Sequence, residues 1–249
     1  MFRTLSFATA LAGLATAPLA AFEMNAMTDA ERTTFRAEIR AYLMENPEVL
    51  LEAINVLEQR QATDAARGDG ELIGTNADDI FDDGYSWVGG NPDGDITVVE
   101  FMDYRCGFCK KAFPEVIELL STDGNIRFIV KEFPILGEQS VLASRFAIAV
   151  KAVEGDKAYG ETHDSLMTMR ADVTEQGLKD LSQKFGYDTK AVFTEMNSET
   201  TSKIINQNRA LAQRLNINGT PSFVFNDQML RGYIPLGDMQ QVVSELRGE

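Results

Sequence analysis

The stretch from Ile96 to Phe133 constrains this chain most. Ile96-Thr97-Val98-Val99-Glu100-Phe101 is a β-branched run that reads as a buried strand. Cys106 then opens a helical pattern through Phe113, Val116, Ile117 and Leu120, and Asp123-Gly124-Asn125 makes a turn. Ile126 to Phe133 reads as a second strand. Strand, helix, strand is a βαβ unit, so the region belongs to the α/β class. Where the first strand meets the helix stand the chain's only two cysteines, in Cys106-Gly107-Phe108-Cys109. A pair so spaced can exchange electrons by opening and closing one disulfide.

The N-terminus bears on that chemistry. Met1-Phe2-Arg3 is followed by an apolar stretch from Leu5 to Ala21, closed by Ala17, Ala20 and Ala21. This is the pattern of a secretory leader, over residues 1–21, with cleavage expected near Ala20 or Ala21. Gly13 and Pro18 interrupt the stretch, and it is short for a membrane span of about 20 residues. No later segment is apolar enough to cross a bilayer, so the expected mature protein is soluble and periplasmic. Disulfides persist in oxidising compartments. One disulfide closed over so small a loop removes little chain entropy, however, so stabilisation explains the pair poorly and chemistry explains it better. The net charge of −15 repels phosphate backbones, and nucleic acid is not an expected partner.

Three regions are expected: the leader 1–21, an N-terminal helical region 22–74 and an α/β domain 75–249. In the second, Thr28 and Glu31 match a capping box, and Phe35, Ile39 and Tyr42-Leu43 recur at helical spacing. The pattern restarts at Asn46-Pro47, with Asn46 as the expected N-cap, and runs through Leu50, Ile54 and Leu57 until Gly68 and Gly70 end it. These stripes suit either packing against the domain or pairing with copies of themselves. Asn76 to Gly94 reads as a linker with an extended piece at Ser86-Trp87-Val88. From about 138 to 214 the pattern is almost wholly helical. Ser222 to Phe225 returns as a strand, Asn226-Asp227 turns, Met229 to Tyr233 pairs back, and Leu236 to Arg247 is a last helix.

At the start of a helix, free N–H groups and the helix dipole favour negative charge, which lowers the pKa of Cys106 and makes it the nucleophile. Cys109, one turn on, is the resolving thiol. Half a zinc site is the bland alternative, but zinc takes four ligands as a rule and only His163 remains as a soft ligand. No metal or other cofactor is expected. Copper(I) held by the two thiolates is an alternative of another class. His163, the single histidine, is expected on a helix surface without a role. Gly219-Thr220-Pro221-Ser222-Phe223 is the second signal. A proline before a strand is commonly a loop stop, and it also suits a cis-proline loop packed against the cysteines.

Together these segments resemble the thioredoxin-like thiol–disulfide oxidoreductases of the DsbA type. The residues concerned are Val98 to Phe101, Asp103-Tyr104, Cys106 to Cys109, Lys131-Glu132-Phe133-Pro134 and Gly219 to Phe223, roughly the last two-thirds of the chain. The resemblance implies a thioredoxin-like fold interrupted by the helical insertion at about 138–214 and preceded by an N-terminal helical stalk. It implies that Thr220 and Pro221 flank the thiols, so that these two, with Gly107 and Phe108, meet the substrate. It also implies that Glu100 serves as a buried base for Cys109; the residues alone equally allow an edge-strand glutamate facing water. Lys131 and Glu132 are expected to pair with Glu100 or with each other. The strongest oxidants of this type carry His between the cysteines, and Gly107-Phe108 departs from that. The pair is therefore expected between thioredoxin, at about −270 mV, and DsbA, at about −120 mV.

Ile39 to Leu43, Asn46 to Leu50 and Gly89-Gly90-Asn91-Pro92 are similar to the stalk region of suppressor-of-copper-sensitivity type C (ScsC-like) proteins. That similarity implies a homotrimer formed through residues 28–67 and disulfide isomerase or reductase action on cysteine-containing exported proteins. The alternative within the class is a dithiol oxidase. A membrane redox partner is expected in either case.

Overall fold

The computed structural model describes residues 27–248. The expected leader lies outside them. By contacts the chain divides into two units, 1–59 and 60–249.

In the first unit, α1 (Asp29–Glu45) starts as the sequence says. The Thr28 hydroxyl accepts from Glu31 N–H at 3.3 Å, and Glu31 Oε2 accepts from Thr28 N–H at 2.8 Å, a reciprocal capping box. α2 (Glu48–Thr75) follows. Asn46 is not its side-chain cap: the Asn46 amide donates back to the Tyr42 carbonyl at 2.9 Å and closes α1 instead. α1 buries none of its residues, and Phe35, Ile39, Tyr42, Leu50, Ile54 and Leu57 are all exposed.

The second unit contains the end of α2. Gly68 and Gly70 do not stop this helix, which continues to Thr75. A helical glycine costs about 1 kcal/mol. Here that is offset by Ile73, buried in a core cluster, and by the forked pair of Asp69 with Arg231 at 2.7 and 2.8 Å. The expected linker is also more ordered than its composition suggests. It holds α3 (Ala77–Phe81), whose Ile80 is fully buried, and β1 (Trp87–Gly90).

β2 (Ile96–Met102), α4 (Gly107–Asp123) and β3 (Ile126–Glu132) form the βαβ unit, with β2 and β3 parallel. The insertion is α5 (Glu138–Glu154), α6 (Asp156–Thr168), α7 (Glu175–Phe185), α8 (Thr189–Glu195) and α9 (Glu199–Arg214). β4 (Ser222–Phe225), β5 (Gln228–Arg231) and α10 (Leu236–Arg247) complete the chain. The sheet order is β1-β3-β2-β4-β5, antiparallel apart from the β2–β3 pair. This is the thioredoxin-like α/β fold with a helical insertion.

Period two along β2 sorts its side chains between two cores. Ile96, Val98 and Met102 share one cluster with Val116 and Leu119 of α4, Val243 of α10 and Phe146 of the insertion. Val99 and Phe101 share the other with Ile73, Ile80 and Leu211. Glu100 stands between Val98 and Met102 in that alternation, so it faces the α4 side, where the cysteines are. It does not face water: Glu100 is 2% exposed.

Candidate redox site at the start of α4

Cys106 is the N-cap of α4, in extended backbone at φ −73° and ψ 119°. Its Sγ lies 3.4 Å from the Cys109 N–H that points at it. The two sulfurs are unbonded, as a dithiol. From the other side comes the loop before β4. Its Thr220–Pro221 peptide bond is cis, and the Thr220 carbonyl oxygen lies 3.1 Å from Cys106 Sγ. Residues 114 positions apart thus enclose one sulfur. Both cysteines are buried, while Gly107 and Phe108 are exposed, Phe108 at 62%.

The two thiols have opposite environments. Bonding from Cys109 brings Cys106 down to a pKa of about 5, with N–H groups of Cys109 and Phe108 assisting and burial opposing. The Thr220 side chain lowers it further, whereas the Thr220 carbonyl can only accept and so favours the thiol form. Cys109 is pushed far up, by burial first, then by its bond to Cys106 and the charge of Glu100. Glu100 itself rises to about 8, through burial and then the charge of Cys106. Glu100 Oε1 is buried without a hydrogen-bond partner. A thiolate, a protonated thiol and a carboxyl near its own pKa can move one proton among themselves at neutral pH.

A second carboxylate fixes the approach to Cys106. Asp103 is fully buried. Its Oδ1 accepts from Arg105 N–H at 2.7 Å, and its Oδ2 accepts from the N–H groups of Ile135 and Leu136 at 2.8 and 3.0 Å. Asp103 thus ties the loop before the cysteines to the loop after β3. The sequence marks Asp103 only within a motif and carries no sign of those partners.

Three other sequence expectations are corrected. Lys131 and Glu132 do not pair with each other, because adjacent strand residues face opposite cores, and neither pairs with Glu100: Lys131 lies on the other face, and Glu132, on the same face, is itself an acid. Lys131 turns to the Ile80 side, where its buried Nζ meets Asp83 at 2.5 Å and the Asp79 carbonyl at 2.7 Å. Glu132 turns to the insertion, where Oε1 accepts from Tyr104 at 2.8 Å and Tyr159 at 2.6 Å. His163 is not on the surface. It is 3% exposed, stacked on Trp87 and Tyr159, with Nδ1 3.1 Å from the Tyr104 hydroxyl. Tyr104 gives its proton to Glu132, so it accepts from His163, whose hydrogen then sits on Nδ1. Burial lowers His163 to about 4, so this network holds a neutral imidazole.

Among the described residues no three His, Cys, Asp or Glu side chains cluster as a metal site, and no helix is long and apolar enough to cross a membrane. Residues 97–244 match the family described as the DSBA-like thioredoxin domain. Residues 31–63 match the copper resistance protein ScsC N-terminal domain. "Disulfide bond formation protein D" of Bacillus subtilis is 27% identical over 64% of this chain and 77% of its own length. A thioredoxin-like oxidoreductase from Silicibacter pomeroyi is 38% identical, with a TM-score of 0.65, over 69% of this chain and 98% of that one. ScsC of Proteus mirabilis, in a transitional conformation, is 27% identical with a TM-score of 0.64, over 89% and 97%. A reactive dithiol in a thioredoxin-like frame, matched over more than half the chain, makes this protein a member of the DSBA-like thioredoxin family of thiol–disulfide oxidoreductases, with an ScsC-type N-terminal domain ahead of it.

Proposed function

We propose that this protein is an exported, periplasmic disulfide isomerase or reductase that acts on cysteine-containing exported proteins. The observation that carries the chemistry is the split between the two thiols: Cys106 at about 5 and Cys109 raised beside Glu100. The Cys106 thiolate attacks one sulfur of a client disulfide. A Cys106–client disulfide forms, and the other client sulfur leaves as a thiolate that takes up a proton. Cys109 then gives its proton to the Glu100 carboxylate and attacks Cys106 Sγ. The Cys106–Cys109 disulfide forms and the client leaves reduced. When a second client thiol attacks first, the client departs with a rearranged disulfide and Cys106 returns to thiolate. Gly107, Phe108, Thr220 and Pro221 form the surface on which the client backbone lies.

A pKa of about 5 for Cys106 lies between the values of about 7 and about 3.5 typical of thioredoxin and DsbA, which supports an intermediate reduction potential. The exposed apolar residues of α1 and α2, from Phe35 to Leu57, support assembly through residues 28–67 into a homotrimer. Such an assembly presents several thiol pairs to one misfolded client, which favours isomerisation over simple oxidation. A membrane redox partner resets the pair between cycles. The test is refolding of a scrambled multi-disulfide protein by the purified chain. Recovery of native activity, lost in Cys106→Ser, is expected. Rapid oxidation of reduced peptides without recovery would assign the oxidase role instead. Copper(I) binding with no thiol exchange would overturn both.

A further inference from the structure

The chain is acidic overall, with 38 acidic and 23 basic residues. The rim of its redox centre is not. Arg105 precedes Cys106, Lys110 and Lys111 follow Cys109, and the first turn of α4 has no acidic residue. Helix N-termini favour carboxylates and disfavour cations. These cations therefore work against their own helix, a local conflict that marks functional sites.

Lys111 is engaged over the Tyr233 ring, 3.8 Å from its centroid. The other two face an open groove of about 610 Å³, where Arg105, Lys110 and Phe113 meet Met167, Met169 and Arg170 at the end of α6. Lys110 donates to the Met169 carbonyl and has no carboxylate partner among the described residues. Arg105 donates to the Ala171 carbonyl at 3.1 Å and to exposed Asp172 at 3.2 Å. Arg170 is exposed and makes no hydrogen bond or ion pair among the described residues. Three cationic heads around one groove thus share a single exposed carboxylate. Lys110 and Arg105 also repel, since the charge of Arg105 helps burial lower the Lys110 pKa. An incoming anion relieves that repulsion, and the apolar floor of Phe113 and Met167 suits a chain that mixes acidic and apolar side chains.

We infer that this groove is a specificity subsite that takes acidic residues flanking the reacting cysteine of a client polypeptide. The inference rests on the exchange activity proposed above and adds the class of client. Charge complementarity beside the nucleophile raises the rate of encounter and sets the register of docking. The whole-molecule charge of −15 alone would favour basic clients, so the two effects give opposite signs.

The test uses the reduced full chain and three disulfide-bearing peptides of one length, with glutamates, glutamines or lysines beside the cystine. The glutamate peptide is expected to react about five- to tenfold faster than the lysine peptide at low salt, with the gap closing at high salt. Arg170→Glu should remove most of the gap and leave the glutamine peptide within about twofold; Arg170→Lys should keep it. Faster reaction of the lysine peptide, or a gap untouched by Arg170→Glu, overturns the inference. The same Arg170 dependence for oxidised glutathione would assign the groove to small carboxylates and overturn the polypeptide assignment. If none of the peptides reacts, the exchange activity itself is wrong, and the subsite falls with it.

Discussion

Cys106 and Glu100 titrate in opposite senses, and each sense is measurable. The pKa of Cys106 is lowered from 9.0 to about 5. The reduced fold therefore gains stability that is complete above pH 9 and lost as pH falls through about 5. Ultraviolet absorbance of the thiolate should titrate with a midpoint near 5, and rapid alkylation of Cys106 should follow the same curve. Glu100 is raised from 4.5 to about 8. For a carboxyl this works the other way: its contribution is intact below pH 4.5 and is lost as pH rises through about 8. Glu100→Gln should thus leave stability unchanged at pH 4 and raise it by roughly 3–5 kcal/mol at pH 9, read from denaturant midpoints at the two pH values. The same substitution should slow decay of the Cys106–client disulfide about tenfold at pH 7 while leaving the first attack alone. Equal decay rates would show that Cys109 loses its proton by another route. The cysteines and Thr220-Pro221 were legible in the sequence because their spacing and neighbours carry the chemistry. The fate of Glu100 was not, because a lone acid in an apolar strand reads equally as edge or core until its neighbours on both faces are known.

Among the elements, boundaries governed by local periodicity were read well, and those governed by distant partners were not. The α4 and α10 boundaries follow from cysteine placement, turns and apolar spacing. The end of α2 does not, because Ile73 and Asp69 find their partners in a core and a strand far along the chain. Lys131 shows the same limit: its partner, Asp83, lies 48 residues earlier in what read as a polar linker. That ion pair is nearly inaccessible, at 0% and 5% side-chain exposure. Removing one partner of a buried pair leaves an unpaired charge, so Lys131→Met should destabilise the fold by about 3–5 kcal/mol. Adding Asp83→Asn should restore part of the loss, and chemical denaturation of the single and double variants checks this. Full additivity of the two changes would show that the pair is not coupled.

For the whole molecule, the homotrimer proposed above would set how many redox centres act together. The match to the ScsC N-terminal domain ends at residue 63, while Asp69 and Ile73 serve the second unit. A clean dissection therefore cuts before Arg60, not at the glycines. By light scattering the intact chain should have about three times the mass of one copy, and the chain from Arg60 should be monomeric while keeping its peptide reductase rate. A monomeric intact chain would refute the trimer. The insertion has a consequence for how the protein is made. The Thr220 carbonyl that meets Cys106 is 114 residues further along, and the whole helical insertion lies between. During synthesis, Cys106 emerges long before the loop that will meet it. For that interval the nucleophile is open to any oxidant or stray thiol it meets. The nascent chain is thus a potential client of the same exchange chemistry that the finished protein performs.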